Sequence, residues 1–192
     1  MMATIRQAVA QQNKQATGWT IRLAADGDEV AIRAVAAETW AVTYAHTVRP
    51  NNRERVIRQS YATASLRRAF ARNGKNIWFW VVENARTHEI VGFAEVVLWA
   101  GPNPCAELTR IYILPAYQKK GIGAAMLDQM LMTLTSTQLD DELRPPRLIL
   151  SVEAHNAPAI SFYEARGFRL TKEFIVPLAG QMLEMKEYAL EL

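Results

Sequence analysis

A short segment of the 192-residue chain, Gln118-Lys-Lys-Gly-Ile-Gly-Ala124, combines residue types that can bind a phosphate group. Gly121 and Gly123 have no Cβ atom, so a ligand can approach the main chain closely at both positions. The sequence predicts a helix that begins at Gly121, and the first amides of a helix lack intrahelical acceptors and lie at the positive end of its dipole. Lys119 and Lys120 add positive charge beside those amides. The segment therefore predicts an anion site of the kind that binds phosphate.

Three phosphate-binding signatures can be compared with this segment. A P-loop requires a lysine followed by a serine or threonine, and the sequence Ile-Gly-Ala-Ala-Met after Gly121 contains neither. The dinucleotide fingerprint starts directly after a strand and places its third glycine where Met126 stands, whereas here a turn from Pro115 to Lys120 comes first. The third signature, Gln/Arg-x-x-Gly-x-Gly/Ala, is matched at every position from Gln118 to Gly123. An ordinary glycine-containing helix start is the alternative for this motif by itself.

A second motif follows in the chain, Asn156-Ala-Pro-Ala-Ile-Ser-Phe-Tyr163-Glu-Ala-Arg-Gly167-Phe168. It matches the pattern Asn-x-x-Ala-x-x-Phe/Leu-Tyr-x-x-x-Gly-Phe. Two independent motifs in this order argue against coincidence. Together they resemble the signatures of the GNAT superfamily of acetyl-CoA-dependent N-acetyltransferases, and the resemblance covers residues 19–192.

The resemblance implies that acetyl-CoA is the cosubstrate. The residues expected to hold its pyrophosphate are Gln118, Lys119, Lys120, Gly121, Ile122, Gly123 and Ala124. The amides around Ile111, Tyr112 and Ile113 are expected to hold the pantetheine arm and to polarise the thioester carbonyl, an effect typically worth ~3 kcal/mol. The arm would lie where the strand with Ile111 diverges from the strand with Val152, and Asn156 would form a hydrogen bond with it.

Acetyl transfer to an amine requires a neutral amine, a polarised carbonyl and a proton for the departing thiolate. Tyr163 is the candidate general acid, because a phenol with a pKa of ~10 is protonated at neutral pH. The alternative is a core tyrosine that packs one turn from Ile160. An alkylammonium has a pKa above ~10, so a carboxylate acting through water is expected to remove its proton. Glu107 is the first candidate for this base and Glu95 and Glu153 are the alternatives, although each is equally compatible with a solvated carboxylate at a strand end.

Length and composition bound the domain organisation and the compartment. Half of the 192 residues are hydrophobic, which is enough for one domain with a sizeable core. We expect a single N-acetyltransferase domain at residues 19–192, preceded by a polar extension at residues 1–18. No apolar run approaches the ~20 residues needed to cross a bilayer, and residues 1–20 lack the apolar centre of a signal peptide. The single cysteine, Cys105, excludes an internal disulfide, so a cytoplasmic location is expected. Cys105 lies in a predicted loop without a base partner, which argues against a nucleophilic role.

Charge and histidine placement narrow the choice of partners. His46, His88 and His155 show no metal-ligand spacing, so no metal is expected. The net charge is small, with 22 Lys and Arg against 19 Asp and Glu. Residues 49–75 nevertheless contain one acid, Glu54, and many arginines, namely Arg49, Arg53, Arg55, Arg58, Arg67, Arg68 and Arg72. Such a cluster could contact nucleic acid or an anionic cofactor, but a solvated helix face is the commoner outcome.

Apolar periodicity and turn signals predict the element order β-α-α-β-β-β-α-β-α-β-β. This is the order of the GNAT fold, an α/β (α+β) architecture with a mixed, mostly antiparallel sheet of six to seven strands and helices on both faces. The predicted strands are 19–24, 77–83, 89–99, 107–114, 147–153, 168–176 and 182–190. The predicted helices are 27–45, one or two helices within 52–72, 121–138, and a short helix between Asn156 and Gly167. We expect Asp26 to cap the first helix and Asn156 to cap the last. The apolar side of the first helix is predicted to consist of Val30, Ile32, Val35, Ala36, Trp40 and Tyr44.

Within the superfamily, the stretches Glu107–Gln118 and Val152–Tyr163 look most similar to small-molecule transferases of the polyamine (spermidine) type. The predicted reaction is therefore acetylation of a primary amine on a polyamine-like or amino-acid-like molecule. A protein or peptide amine is the alternative within the enzyme class. A different class is a non-catalytic acyl-CoA-sensing or nucleic-acid-binding module that uses residues 49–75. Because GNAT proteins are often dimers, a homodimer is expected, without a membrane partner.

Overall fold

The computed structural model describes residues 18–136, 144–178 and 180–192. The strands are β1 (Trp19–Leu23), β2 (Ile77–Asn84), β3 (Ile90–Trp99), β4 (Cys105–Ile113), β5 (Arg147–Glu153), β6 (Arg169–Leu178) and β7 (Gln181–Glu191). The helices are α1 (Glu29–Thr43), α2 (Pro50–Ser60), α3 (Thr63–Phe70), α4 (Ile122–Leu134) and α5 (Ala157–Glu164), and a short 3-10 turn spans Pro115–Tyr117. The predicted extension at residues 1–18 falls outside the described residues except for Gly18.

The strands form one seven-stranded sheet in the order β1-β2-β3-β4-β5-β7-β6. Neighbouring strands are antiparallel except β4 and β5, which are parallel. The chain reaches β5 from β4 by way of α4, as a parallel pair requires a long crossover connection. The predicted mixed, mostly antiparallel sheet is therefore confirmed.

Helices cover both faces of this sheet, also as predicted. In β2, Trp78, Trp80 and Val82 pack with α4 and α5, on what we call the α4 face. The intervening Phe79 and Val81 pack with α1 and α3, on the α1 face. Because successive side chains of a strand point to opposite faces, an apolar strand such as β2 supplies two separate cores.

The parallel pair at the centre of the sheet is short. Ala106–Leu108 of β4 pair with Leu148–Leu150 of β5, and neither strand pairs with the other beyond those positions. A β-bulge opposite Glu95 and Val96 leaves Thr109 outside the β3–β4 register, and bulges bend the strand that contains them. The two strands therefore diverge toward their carboxyl ends. We call the space between Thr109–Ile113 and Ser151–Glu153 the strand gap.

The start of α1 differs from the sequence prediction in two ways. The residue at the N-cap is Asp28 rather than Asp26, and its carboxylate accepts from the Ala25 amide at 2.9 Å instead of capping the helix. Arg22 binds the same carboxylate at 2.7 Å, which fixes the side chain in the turn. Val30 is 74% exposed and not on the apolar side, because the buried face of α1 follows Ile32, Val35 and later residues.

Two further boundaries were predicted wrongly. Helix α4 ends at Leu134 rather than near residue 138, because the hydroxyls of Thr133 and Thr135 donate to carbonyls four residues earlier and weaken the helix end. Cys105 lies in β4, paired with Trp99, and not in a loop. It is buried, and burial raises the pKa of its thiol, so its environment disfavours the thiolate.

Among the described residues, no helix combines the length and apolar character that crossing a bilayer requires.

Candidate active site

The glycine motif forms a row of free amides at the start of α4. Gly121 is the N-cap residue, with φ of 82°, and Lys119 also adopts a positive φ of 59°. The first amide to bond within the helix is that of Ala125, which donates to the Gly121 carbonyl. Within the ranges that the structure describes, the amides of residues 119–124 donate to no acceptor. This row is what an anionic group requires at a helix N-terminus.

The motif side chains have different placements. Gln118 Nε2 donates to the Ile113 carbonyl at 2.9 Å, so this side chain stabilises the turn between β4 and α4. Lys119 and Lys120 are exposed, and the Lys120 ammonium lies 5.0 Å from the centre of the Tyr117 ring. Positive charge is thus available beside the free amides.

Gly123 lets α4 approach its neighbours. A Cβ atom at this position would lie 3.4 Å from the Phe162 ring and 3.5 Å from Ile113 Cδ1, which are ordinary contact distances. A larger side chain would therefore meet α5 and β4. The glycine keeps the free amides close to the end of β4.

The outer edge of β4 faces the strand gap. The Leu114 amide donates to the Val91 carbonyl, so the amide of Tyr112 also points toward β3, and those of Ile111 and Ile113 point toward the gap. The side chains alternate in the same way: Ile111 and Ile113 pack on the α4 face and Tyr112 on the α1 face. Of the three residues predicted to bind the cosubstrate, Ile111 and Ile113 thus present their amides to the gap, and Tyr112 presents its amide to β3.

Tyr163 lies on the α4 face, in the cluster that also contains Ile111, Ile113 and Val152 of the two strands that border the gap. Its ring packs edge-on against Phe162 and Phe168, with centroids 5.2 and 5.5 Å away. Burial raises the pKa of its phenol, which keeps it protonated. Its hydroxyl forms no hydrogen bond with any described residue. It is also not one of the enclosed polar atoms that lack a partner, which among the described residues are Trp40 Nε1 and Thr47 Oγ1. The hydroxyl of Tyr163 is therefore accessible and free to donate.

Asn156 caps α5 as predicted. Its side-chain oxygen accepts from the Ala159 amide at 3.3 Å. Pro158 is tolerated in this first helical turn because the amide it lacks would have no partner there. The Asn156 NH₂ group has no acceptor among the residues described, so it remains available to a ligand.

The three carboxylates considered as bases share the α1 face but differ in their partners. Glu95 is buried, bonded to Arg110 at 2.8 Å and to Thr109 at 2.7 Å. Glu153 is buried and bonded to His155 Nδ1 at 2.9 Å. Glu107 accepts one hydrogen bond, at 2.7 Å from the Trp99 indole. Glu107 is therefore the carboxylate without a basic partner.

Glu153 also changes the titration of His155. The bond to this carboxylate raises the pKa of the imidazole, because it favours the charged form. The pair therefore contributes most to stability below the ordinary histidine pKa of 6.5, and the contribution is lost as pH rises through the raised value. His155 itself is exposed and can exchange protons with water.

The structure brings together aromatic side chains on the α1 face that were not predicted to form one group, and we call them the aromatic recess: Trp40, Tyr44, Tyr61 and Tyr112. The Trp40 and Tyr44 rings are 4.5 Å apart, and Trp40 lies 6.4 Å from Tyr112. Tyr112 belongs to β4 at the strand gap, so the recess adjoins the gap. The one-turn spacing of Trp40 and Tyr44 predicts that they lie on the same side of the helix, but no signal near them in the sequence indicates the approach to Tyr112.

A second group that was missed joins distant parts of the chain. Gln181, at the start of β7, accepts from the Arg49 amide at 3.1 Å and from Asn52 Nδ2 at 3.0 Å, and it donates to the Thr47 carbonyl. We call these bonds the Gln181 clasp. They hold the segment that follows Tyr44 against the β6–β7 hairpin.

Most arginines between residues 49 and 75 have structural roles. Arg53 donates to the carbonyls of Tyr44 and Val48 at the end of α1. Arg67 bonds to a side chain of α1, Arg68 to one in its own helix, and Arg72 to one in the loop that follows. A cavity of about 520 Å³ between α1 and α2 is lined in part by Arg53 and contains none of the predicted site residues. The basic stretch thus stabilises the helical layer.

The profile of the Acetyltransferase (GNAT) family matches residues 39–168, which include the free amides, the β4 edge and Tyr163. The chain belongs to this family. It is accordingly an acyltransferase of the GNAT N-acetyltransferase class, and the recognition made from the two motifs is confirmed.

Two curated relatives have different acceptors. The spermidine N(1)-acetyltransferase of Thermoplasma acidophilum is 28% identical over 136 residues, or 71% of this chain and 79% of the relative. The peptidyl-lysine N-acetyltransferase YiaC of Escherichia coli is 27% identical over 105 residues, or 55% of this chain and 57% of the relative.

Solved structures agree on the fold. The PaiA N-acetyltransferase of Thermoplasma acidophilum, in complex with coenzyme A, superposes with a TM-score of 0.71 at 26% identity over 88% of this chain and 97% of that one. The Vibrio cholerae spermidine N-acetyltransferase, in complex with CoA and spermine, gives 0.64 at 18% identity over 91% and 95% of the two chains. In the described part of this GNAT protein, no cluster of three or more His, Cys, Asp or Glu side chains has a metal-binding arrangement.

Proposed function

We propose that this GNAT protein transfers the acetyl group of acetyl-CoA to a primary amine of a small polyamine-like or amino-acid-like molecule. The observation that carries the proposal is the convergence of three features on one gap. These are the free amides of residues 119–124, the open edge of β4 and the accessible hydroxyl of Tyr163. The spermidine acetyltransferase relative and the coenzyme A complex of the PaiA structure support the choice of substrates.

The residues present fit the cosubstrate. The amides of residues 119–124, with Lys119 and Lys120 beside them, would bind its pyrophosphate. The amides of Ile111 and Ile113 and the free NH₂ group of Asn156 would bind its arm. Bound acetyl-CoA supplies an acetyl group that is activated as a thioester.

The protein then has two tasks in the transfer itself. An amide on the gap side of β4 stabilises negative charge on the carbonyl oxygen, and such a donor is typically worth ~3 kcal/mol. The Tyr163 hydroxyl gives its proton to the departing sulfur, and the resulting phenolate takes up the proton that the attacking nitrogen loses as the amide forms. A phenol whose pKa is raised by burial keeps this proton until it is needed.

The acceptor must lose a proton before it attacks, and Glu107 is our proposal for the base. Glu95 is occupied by Arg110 and Glu153 by His155, whereas Glu107 meets a single neutral donor. Glu107 lies four residues before Ile111, or about 13 Å along the strand, so the proton would reach it through water. Glu153 is the second candidate because it borders the strand gap.

A peptidyl-lysine acceptor is the second candidate substrate, favoured by the similarity to the Escherichia coli enzyme. The Gln181 clasp argues for the smaller acceptor, because it ties the segment after Tyr44 to the β6–β7 hairpin. A protein segment in an extended groove would need this side to be open.

A cytoplasmic location and a homodimer also remain proposals. The dimer is supported by the edge strand β6, where Ile175 is 61% exposed beside the 63% exposed Met182 of β7. Light scattering coupled to gel filtration tests it, and a mass of one chain at micromolar concentration would contradict it.

The function is tested by thiol release from acetyl-CoA with spermidine, spermine, amino acids, aminoglycosides and short peptides. We expect turnover with one or more small amines. Turnover confined to peptide lysines would move the assignment to the second candidate. Acetyl-CoA binding without turnover would indicate a sensor, and absence of binding would overturn the proposal.

A further inference from the structure

The aromatic recess lies beside the strand gap. Tyr44 and Tyr112 are both half-buried, so each retains accessible surface, and Trp40 packs near the two rings. Tyr112 lies between Ile111 and Ile113, whose amides face the gap. The recess is therefore placed where an acceptor must approach.

The polar atoms of the recess retain bonding capacity. Within the described part of the chain, the phenols of Tyr44 and Tyr112 form no hydrogen bond of normal geometry, so both oxygens can accept from a ligand. The indole N–H of Trp40 is enclosed and has no hydrogen-bond partner, and Trp40 is only 7% exposed. A buried donor without a partner carries a free-energy cost that a ligand atom with a lone pair can offset.

Tyr44 offers an oxygen and an aromatic face beside Trp40, whose ring lies 4.5 Å away. Burial is the main reason that the pKa of its phenol is raised, and Tyr61, Tyr163 and Glu153 add to the rise electrostatically. The cation of the recess, Arg110, is neutralised by Glu95 at 2.8 Å and lies over the Tyr61 ring at 4.9 Å. A phenol oxygen next to aromatic faces is an environment that favours a nitrogen carrying N–H groups or positive charge.

We propose that Tyr44 binds the reacting nitrogen of the acceptor and that Trp40 and Tyr112 pack against the carbon chain that carries it. The Tyr44 oxygen accepts one N–H bond from the amine, which directs the lone pair of that nitrogen toward the gap. Tyr44 keeps its own proton throughout, because the proton of the ammonium goes to the base and the thiolate receives one from Tyr163. This inference rests on the proposed function and adds the residues that hold the acceptor.

The test compares two variants that each remove one phenol hydroxyl. In Tyr44→Phe, kcat/KM for spermidine, or for glycylglycine if that is the better acceptor of the wild type, should fall about 10- to 100-fold, the range for one hydrogen bond to a charged or reacting group. The KM for acetyl-CoA should stay within about twofold. The control is Tyr188→Phe, whose hydroxyl bonds to Glu164 at 2.9 Å and lies outside the recess, and it should leave kcat/KM for the amine unchanged.

The pH dependence separates this role from others. Because Tyr44 transfers no proton, the pH profile of kcat/KM should keep its shape in Tyr44→Phe while its height falls. A shift of either limb of this profile along the pH axis would indicate that Tyr44 acts as a base, and it would overturn the binding role. An equal loss of acetyl-CoA affinity would overturn it in favour of a structural role, and wild-type kinetics would overturn it outright.

Failure of the proposed function has a different signature. If the wild type turns over neither spermidine nor glycylglycine nor any other amine, the transferase proposal fails and this inference fails with it. If the wild type is active and Tyr44→Phe matches it, the transferase proposal stands and the inference alone is wrong.

Discussion

At the scale of single residues, the Tyr163 hydroxyl has two properties that a general acid requires. It is protonated at neutral pH, as a phenol with a pKa of ~10 or above is, and it is not occupied by another described residue. The ring is fixed between Phe162 and Phe168, so a change at the oxygen alone should leave the packing intact.

The Tyr163→Phe variant tests this role. We expect kcat to fall by about 10²- to 10⁴-fold, the usual contribution of a positioned acid, because the thiolate would leave without a proton donor. Acetyl-CoA affinity, measured by calorimetry, should not change. A kcat equal to that of the wild type would remove Tyr163 from the mechanism.

The base is tested by a matched pair of substitutions, Glu107→Gln and Glu153→Gln. If Glu107 takes the proton, its replacement should lower kcat/KM for the amine at least about 100-fold near neutral pH. Glu153→Gln should have a smaller effect, because His155 already occupies that carboxylate. The pH profile of kcat/KM for both variants provides the measurement, and a larger loss in Glu153→Gln would transfer the role to Glu153.

Residue roles could be predicted from the sequence where the chemistry is local. Asn156 caps the helix that immediately follows it, and Gly121 starts a helix within its own motif, so neighbouring residues determine both. Trp40 and Tyr44 could not be assigned in this way. They form a group only because Trp40 packs near Tyr112, and two helices and two strands separate Tyr112 from them in the chain.

At the scale of elements, the Gln181 clasp connects the helical layer to the final hairpin. One side chain bonds to Thr47, Arg49 and Asn52, and those residues follow directly on α1 and Tyr44. Gly180, just before it, has φ of 90°, and a Cβ atom there would lie 2.8 Å from Arg55 Nη2. The turn is therefore fitted closely to α2.

The Gln181→Ala variant should loosen the segment that carries Tyr44. We expect KM for the amine to rise about tenfold, since net hydrogen bonds are typically worth ~1 kcal/mol each, while KM for acetyl-CoA stays constant. Steady-state kinetics with each substrate varied in turn measure both constants.

Gln181→Glu is the control for this variant. It retains the accepting oxygen for Arg49 and Asn52 and loses the donor to Thr47, so an intermediate KM for the amine is expected. If KM for acetyl-CoA rose as much as KM for the amine, the clasp would stabilise the whole site rather than the acceptor side.

Element order and strand periodicity were predictable because alternation and turn residues are local signals. β5 was predicted with the bounds that it has, Arg147–Glu153. The errors at Asp26, at the end of α4 and at Cys105 have a common origin. A carboxylate, a threonine hydroxyl or a cysteine can take more than one local arrangement, and contacts made by Arg22 and Trp99 select among them.

At the scale of the whole molecule, the sheet consists of two sections that meet at three residue pairs. β1–β4 form one section and β5–β7 the other. The amides of Ile111 and Ile113 point into the gap between the sections, whereas the amide of Tyr112 points to β3. The amides of neighbouring residues in this central strand should therefore differ in their protection from hydrogen exchange.

Native-state hydrogen exchange should reveal this alternation. In the free protein we expect the amides of Ile111 and Ile113 to exchange at least about tenfold faster than that of Tyr112, because exchange depends on local hydrogen bonding. Addition of coenzyme A should slow the first two and leave Tyr112 unchanged. Equal protection of all three amides in the free protein would contradict the open edge, and protection unaltered by coenzyme A would mean that the ligand binds elsewhere.

The short β4–β5 pairing also bears on self-association. Unpaired strand edges attract strands of other chains, and proteins usually keep them short, charged or covered. Here an unpaired edge lies inside the sheet, with β5 beside it and α4 and α5 above it. Because β5, α4 and α5 surround this edge, it is less open to a strand of another chain than an edge at the outside of the sheet. The molecule can therefore keep unpaired backbone groups available to a small partner without exposing them to aggregation.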